Sequence, residues 1–228
     1  QAPESRAKFA FIEVNPRLQV EHTVTEAITG IDLVRTQLDL ANGRTLADLG
    51  LAGARTAPRG MAMQLRVNAE SMSPDGTVRP AAGVLQAFDL PSGPGIRVDT
   101  CGYSGYCANP RFDSLLAKVI AHQPQADLPA LSAKASRALA EFRIDGIATN
   151  REFLLNLLSH AEFLGGRWHT TLIEANLAAL CSSCHGLVHE GLLRIKGEDA
   201  TSLRFVDRVG RDRDQPLEEP DAALVITP

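Results

Sequence analysis

The sequence predicts an α+β fold, because its helical and strand-like stretches are segregated along the chain. Residues 25–42 have helical spacing, in two pieces broken at Thr29 and Gly30. A strand-like, turn-rich stretch follows between residues 61 and 122, and helical patterns return from residue 128. The chain has 228 residues, 44% hydrophobic and 22% charged, which is enough for one large domain or two small ones.

Two longer strands bound the β-rich stretch. Residues 61–69 alternate between apolar and polar side chains, and residues 114–122 form a mostly apolar run. Between them, residues 74–110 hold many of the glycines and prolines, with short β-like runs at 83–88 and 95–99. We expect short strands joined by tight turns.

Capping residues mark the later helices. Asp127 is a suitable N-cap for a helix over residues 128–142. Thr149 and Glu152 have the spacing of a capping box, which predicts that the next helix begins between them. From about residue 207 the chain is charged and proline-containing, and we expect little fixed structure there.

Charge and hydropathy narrow the class of protein. The net charge of −4 argues against a uniformly basic surface, so no nucleic-acid partner is expected for the main domain. No apolar run approaches the ~18–20 residues of a membrane span, and no charged-then-apolar leader opens the chain. We therefore expect a cytoplasmic protein with no membrane partner, in which Cys101 and Cys107 are reduced thiols.

Residues 9–21 alternate between apolar and polar side chains, which predicts an extended strand. Pro16 interrupts the alternation, so the strand should give way to a loop there. An edge strand with one face in water would explain the pattern without any function. The polar face consists of Glu13, Asn15, Arg17, Gln19 and Glu21.

The residue types on that face indicate a more specific chemistry. Glu13 and Asn15 are oxygen donors two residues apart, which suit a hard cation such as Mg²⁺. Arg17 offers a planar fork of donors for a small oxyanion, and Glu21 is a carboxylate placed to move a proton. A metal site, an anion site and a base within nine residues point to phosphate or carbonate chemistry.

Residues 11–22, FIEVNPRLQVEH, closely resemble the signature near the active site of biotin carboxylases. The resemblance extends over about residues 8–175 and implies a biotin carboxylase C-terminal domain preceded by the end of an ATP-grasp core. The Thr23 after His22 is more similar to multidomain pyruvate or acyl carboxylases than to stand-alone bacterial subunits. The other matching segments are residues 24–34, 64–70, 112–120, 140–150 and 163–174.

The resemblance assigns ligands to the first motif. It implies that Glu13 and Asn15 hold Mg²⁺ or Mn²⁺ against the phosphates of ATP. It also implies that Arg17, Gln19 and the backbone of Val20 cradle bicarbonate, and Arg17 is counted catalytic as well. The same comparison gives His22 no catalytic role, and a structural hydrogen bond is expected for it.

Two more catalytic roles follow from the resemblance. Glu21 matches the base that deprotonates bicarbonate, and Arg66 matches the arginine that contacts biotin and stabilises its enolate. From the residue alone, a solvated strand arginine is the better interpretation of Arg66, and only the resemblance reverses it. Asp113, Ser114 and Lys118 are expected to support the fold or the wall of the site.

The resemblance also divides the chain and implies partners. Residues 1–45 would be the end of the ATP-grasp core with the metal and bicarbonate motif, residues 46–178 the biotin carboxylase C-terminal domain, and residues 179–228 a tail. The N-terminal and lid domains are expected to be absent, so that the chain is a fragment inactive alone. The implied partners are a biotin carboxyl carrier protein or domain, a chain or region that supplies the ATP-grasp lid, and a second copy in a homodimer.

The tail has a different resemblance. Residues 176–191 are similar to the second half of an HNH endonuclease motif, in which Cys181, Cys184, His185 and His189 would bind metal, with Zn²⁺ at the cysteine pair. A closed zinc site needs four ligands, and only one CxxC is present, so a vestigial or junction-derived tail is the favoured interpretation. The rival functions are a metal-binding, endonuclease-like module in the tail and a non-catalytic dimerisation scaffold.

Overall fold

The structure is a computed structural model that describes residues 14–53, 57–73, 77–169, 172–175, 193–196 and 204–207. The helices are α1 (His22–Thr29), α2 (Leu33–Ala41), α3 (Leu128–Glu141), α4 (Arg151–Ser159), α5 (Ala161–Leu164) and α6 (Leu172–Ala175). The strands are β1 (Met61–Asn68), β2 (Glu70–Met72), β3 (Val78–Pro80), β4 (Gly83–Val84), β5 (Ala87–Asp89), β6 (Ile96–Thr100), β7 (Cys107–Ala108), β8 (Leu115–Gln123), β9 (Arg143–Asp145), β10 (Leu193–Lys196) and β11 (Arg204–Asp207).

A three-stranded antiparallel sheet in the order β1-β8-β6 forms the centre of the described fold. Its register places Arg66 opposite Lys118, and Lys118 opposite Asp99. The register of β1 against β8 shifts between Val67 and Asn68. Four two-stranded pairs complete the described strands, namely β2-β3, β4-β7, β5-β9 and β10-β11.

One face of this sheet packs on α3 and builds the hydrophobic core. Because side chains alternate along a strand, Leu65 and Val67 point to this face while Arg66 points to the other. The helix α3 begins at the predicted N-cap, since the Asp127 carboxylate accepts from the amide of Ala130 at 2.9 Å. The buried core also contains Val119, Ala121, Leu131, Ala135, Leu139 and Phe142.

The other face of the sheet carries α1. Thr23 of this helix is 0% exposed, and α1 contacts both β1 and β8. The predicted break after α1 is confirmed at Gly30, whose φ of 75° suits glycine and whose amide donates to the carbonyl of Glu26 at 2.8 Å.

The second helix, α2, is packed differently. It starts at Asp32, whose carboxylate accepts from the amide of Arg35 at 2.8 Å, and none of its side chains is buried. Its exposed apolar residues are Val34, Leu38 and Leu40. The helix is therefore held by its ends rather than by a packed face.

The structure corrects the predicted strand over residues 9–21. The described part, residues 14–21, consists of bends and turns, and neither a functional strand face nor a solvated edge strand exists there. The reason is local hydrogen bonding around Pro16 and before α1: the amide of Arg17 donates to the carbonyl of Asn15 at 2.8 Å, and that of His22 to Gln19 at 3.2 Å. Such bonds fold the chain back instead of extending it.

The predicted capping box is also wrong. Asn150, not Thr149, is the N-cap residue of α4, and it makes no side-chain cap bond. The Glu152 carboxylate accepts from the guanidinium of Arg151 at 2.6 Å instead of closing the box. The helix itself begins where the sequence predicts.

Candidate functional site

The loop before α1 holds the predicted bicarbonate residues in one turn. The side-chain amide of Gln19 donates to the carbonyl of Arg17 at 3.2 Å, and the guanidinium of Arg17 is exposed. Val20 follows directly and is 37% exposed. The turn therefore holds a cation, an amide and an exposed backbone segment within four residues, which suits a small anion.

The structure brings Glu21 and Arg66 together, although 45 residues separate them in sequence. Glu21 occupies the N-cap position of α1, and Arg66 lies on the α1-facing side of β1. The guanidinium Nη2 donates to Glu21 Oε1, and both side chains remain about half exposed, 46% for Arg66 and 55% for Glu21. A solute can therefore reach both the carboxylate and the cation.

A second contact joins the same two elements beneath this ion pair. The hydroxyl of Thr23 donates to Gln64 Oε1 at 2.6 Å, and Thr23 is fully buried. Beside it, Nδ1 of His22 lies 2.7 Å from the carbonyl of Gln19, which is the structural hydrogen bond expected for this histidine. The sequence reasoning missed Gln64; its place two residues before Arg66, on the same strand face, was the available signal.

A network of charges continues across the sheet from Arg66. Lys118 contacts Asp99 at 3.2 Å, and Arg97 donates to Asp99 at 2.8 Å and to Glu26 of α1 at 2.6 Å. Burial raises the pKa of Asp99, but the hydrogen bonds from Arg97 and Lys118 outweigh it and hold that pKa below its usual value. The bonds to Asp99 and Glu26 raise the pKa of Arg97.

Asn150 supports the strand that carries Arg66. Its Oδ1 accepts from the amide of Asn68 at 2.9 Å, and its Nδ2 donates to the carbonyl of Arg66 at 3.1 Å. Both bonds span the register shift of β1, where the ladder to β8 is irregular. Asn150 thus ties β1 to the start of α4 next to the arginine.

The residues expected to support the site make structural contacts. The Ser114 hydroxyl donates to the Glu70 carboxylate at 2.5 Å. The same carboxylate also accepts from the side-chain amide of Asn68 at 3.2 Å. Asp113 accepts from the amide of Leu115 at 2.9 Å, which starts β8. These bonds connect β1, β2 and β8 at the end of the sheet near the register shift.

The predicted metal ligands are only partly within the described residues. Asn15 is exposed in the turn, and its amide oxygen is a donor that suits Mg²⁺ or Mn²⁺. Glu13 lies outside the described residues. The donor set of one amide and one carboxylate oxygen, as the sequence gives it, fits a hard cation.

The tail residues predicted to bind zinc, Cys181, Cys184, His185 and His189, lie outside the described residues. Within the part of the chain that is described, no group of three or more His, Cys, Asp and Glu side chains could hold a metal ion. The zinc prediction is therefore unsupported. Cys101 and Cys107 are free and exposed, as expected.

Two family models match this chain. Residues 64–175 match the biotin carboxylase C-terminal domain, and residues 2–49 match the ATP-binding domain of the carbamoyl-phosphate synthase L chain. The chain is 46% identical to human mitochondrial pyruvate carboxylase over 174 residues, which are 76% of this chain and 14% of that protein.

Solved structures agree with these matches. A single-chain, multi-domain long-chain acyl-CoA carboxylase is similar with a TM-score of 0.73 and 46% identity, over 77% of this chain and 19% of that one. The biotin carboxylase domain dimer of the Hydrogenobacter thermophilus 2-oxoglutarate carboxylase, in complex with MgADP, ADP and bicarbonate, has a TM-score of 0.66 and 32% identity, over 75% and 36% of the two chains.

Over residues 64–175, which match its C-terminal domain, the chain belongs to the biotin carboxylase family. It carries the C-terminal domain of that family and part of the ATP-grasp region, as the sequence predicted. The chain spans about a seventh of the length of the pyruvate carboxylase that it resembles. The predicted HNH resemblance of the tail is not confirmed, because the family models that match are of other kinds and end at residue 175.

None of the helices in the described ranges is both long and apolar enough to cross a membrane.

Proposed function

We propose that this chain supplies the bicarbonate and biotin side of an active site for the ATP-dependent carboxylation of biotin. The contact between Glu21 and Arg66 carries the proposal, because it joins a carboxylate and a permanent cation from separate elements at an accessible point. A carboxylate base and a guanidinium beside it are what bicarbonate activation and ureido oxyanion stabilisation require.

The proposed chemistry gives each residue one task. Arg17, Gln19 and the backbone of Val20 bind bicarbonate. Glu21 accepts its proton, so that a carbonate oxygen bonds to the γ-phosphorus of ATP while the bond to ADP breaks, giving carboxyphosphate.

Arg66 acts in the second half of the reaction. Carboxyphosphate splits into CO₂ and phosphate, the phosphate takes the proton of the ureido nitrogen of biotin, and that nitrogen then bonds to the carbon of CO₂. The guanidinium of Arg66 stabilises the negative charge on the ureido oxygen, and it stays charged throughout.

Glu13 and Asn15 would hold Mg²⁺ or Mn²⁺ in this scheme. The cation, when bound, neutralises phosphate charge. The exposed amide of Asn15 lies in the same turn as Arg17. That proximity supports a bicarbonate site next to the proposed metal site.

The domain limits and partners belong to the same proposal. Residues 1–45 would contribute the end of the ATP-grasp core, residues 46–178 the C-terminal domain, and residues 179–228 a tail. An ATP-grasp lid, from this or another polypeptide, would close over ATP, and a biotin carboxyl carrier protein or domain would deliver biotin. We also propose that the protein forms a homodimer and is cytoplasmic. The similar human pyruvate carboxylase is mitochondrial.

Bicarbonate-dependent ATP cleavage tests the proposal. We would measure it with free biotin and Mg²⁺, first on the purified chain and then after mixing with a separately expressed ATP-grasp half of a similar carboxylase. Activity only in the mixture is expected, and Glu21→Gln should abolish its bicarbonate dependence. Absence of activity in every mixture would contradict the proposal and favour a non-catalytic dimerisation scaffold.

A further inference from the structure

The hydrogen bond between Thr23 and Gln64 lies beside the proposed base, Glu21. Thr23 is two residues after Glu21 on α1, and Gln64 is two residues before Arg66 on the same face of β1. The hydrogen bond and the ion pair therefore join the same helix to the same strand. We propose that the buried Thr23–Gln64 hydrogen bond is a positioning device that fixes where the Glu21 carboxylate meets Arg66.

The ion pair cannot supply this precision by itself. Both of its side chains are long and about half exposed, so water and salt weaken the attraction and several rotamers compete. The Thr23 hydroxyl, in contrast, is fully buried and bonds over 2.6 Å. A satisfied hydrogen bond in a low-dielectric interior is strong and directional, and breaking it leaves buried polar groups without partners.

The neutrality of the bond matters for a base. Glu21 changes its charge when it accepts a proton, and its attraction to Arg66 weakens at that moment. The bond between a hydroxyl and an amide oxygen does not titrate, so it keeps α1 in place through that change. An anchor that is independent of the carboxylate's charge is therefore better suited to hold it than the ion pair.

A third contact restrains the far end of the helix. Glu26 accepts from Arg97 of β6 at 2.6 Å and from the amide of Leu33 at 2.8 Å. The contacts of Thr23 with β1 and of Glu26 with β6 therefore restrain α1 at two points on the sheet. Of these two contacts, the one at Thr23 is nearer to Glu21 in sequence. Its loss should therefore change the position of the Glu21 carboxylate more.

The catalytic meaning of this positioning rests on the function proposed above, but its geometry can be tested without activity. A double-mutant cycle of Glu21→Gln and Arg66→Met, followed by urea unfolding of the whole chain at low salt, measures the coupling between the two side chains. We expect up to about a fivefold coupling in the unfolding equilibrium constant, as for exposed ion pairs. The cycle is then repeated with Thr23→Val, which removes the hydroxyl and keeps the shape.

The inference predicts that the coupling disappears in the Thr23→Val background and returns with Thr23→Ser. Ser132→Ala is the matched control, because Ser132 is also buried and its hydroxyl donates to the carbonyl of Leu158 at 2.7 Å, away from α1. That control should lower stability and leave the coupling intact. If Thr23→Val prevents folding, the cycle is run in the Gln64→Met background instead. That substitution removes the acceptor of the same hydrogen bond at a residue that is less buried than Thr23. Unchanged coupling in the substituted background would overturn the inference.

Kinetics separate this inference from the proposed function. In an active mixture, Thr23→Val should lower kcat for bicarbonate-dependent ATP cleavage about tenfold, leave the KM for ATP unchanged, and be rescued by Thr23→Ser. Lost coupling with an unchanged kcat would overturn the positioning role while the proposed function stands. If no mixture is active, the proposed function fails, and the cycle alone decides whether Thr23 sets the contact between Glu21 and Arg66.

Discussion

Arg66 and Lys118 lie directly opposite each other on β1 and β8, and each contacts a different carboxylate. Glu21 pairs with Arg66 and Asp99 with Lys118. Like charges at opposite positions of neighbouring strands repel each other, and dividing the carboxylates between them removes the conflict. The polar face of the sheet thus keeps two cations close together, one half exposed and one nearly buried.

The first prediction concerns Asp99 and pH. Its pKa is lower in the folded chain than the ordinary 3.8, so its contribution to stability is complete above that value and is lost as the pH falls through the lowered pKa. Asp99→Asn should therefore flatten the fall in the free energy of unfolding between about pH 5 and pH 2. Urea unfolding at several pH values checks this, and parallel curves for the two proteins would contradict it.

The second prediction concerns Glu26, whose side chain is only 9% exposed. Glu26→Gln leaves Arg97 with one carboxylate fewer and should lower the free energy of unfolding by about 1–3 kcal/mol. Glu152→Gln is the control, because Glu152 pairs with the adjacent Arg151 at the surface. Its effect should stay within about 0.5 kcal/mol. Equal losses of stability in both variants would mean that the ion pair between Glu26 and Arg97 stabilises the fold no more than a surface ion pair does.

The third prediction concerns Asn150 and the register shift of β1. Asn150→Ala removes both side-chain bonds and leaves the amide of Asn68 unsatisfied, so stability should fall by about 1–3 kcal/mol. Asn109→Ala, in an exposed turn where the side chain accepts from the amide of Arg111, is the control and should cost less. Thermal unfolding compares the two, and a smaller loss at Asn150 would be inconsistent with its bridging role.

The fourth prediction concerns catalysis by Arg66. In a mixture that contains an ATP-grasp half, Arg66→Ala should lower carboxybiotin formation about 10²-fold, as expected for the loss of an oxyanion-stabilising group. Nucleotide binding should hardly change, because the proposed metal and phosphate contacts lie elsewhere. Carboxybiotin is measured from ¹⁴C-bicarbonate, and nucleotide binding by calorimetry. Unchanged carboxybiotin formation would remove Arg66 from the proposed site.

Local chemistry explains what the sequence could predict of the fold. The break at Gly30 and the start of α3 at Asp127 follow from glycine's tolerance of positive φ and from the N-cap preference of aspartate. Neither needs a distant partner. The alternation in β1 and the apolar run in β8 could also be predicted, because each pattern reflects which side chains face the core.

The errors have physical reasons as well. Alternation over residues 14–21 imitated a strand, but short-range bonds around Pro16 turn the chain. The predicted capping box of Thr149 and Glu152 does not form, because the helix starts after Asn150 instead. The side chain of Asn150 bonds to Asn68 and Arg66, which are more than eighty residues away in sequence, and does not cap the helix. The contact between Glu21 and Arg66 depends on the packing of α1 on the sheet, which no local pattern encodes.

The helix α2 has a further consequence. Helices of nine residues are unstable alone in water, and α2 buries no side chain that would add tertiary stability. Its amides should therefore open and exchange with deuterium without any unfolding of the sheet, while those of β8, which is paired on both edges, should exchange only when the whole unit opens. The chain should therefore open in two steps, with α2 opening at a lower free energy than the sheet. A partner that binds over Val34, Leu38 and Leu40 should slow hydrogen exchange in α2 before it changes exchange elsewhere.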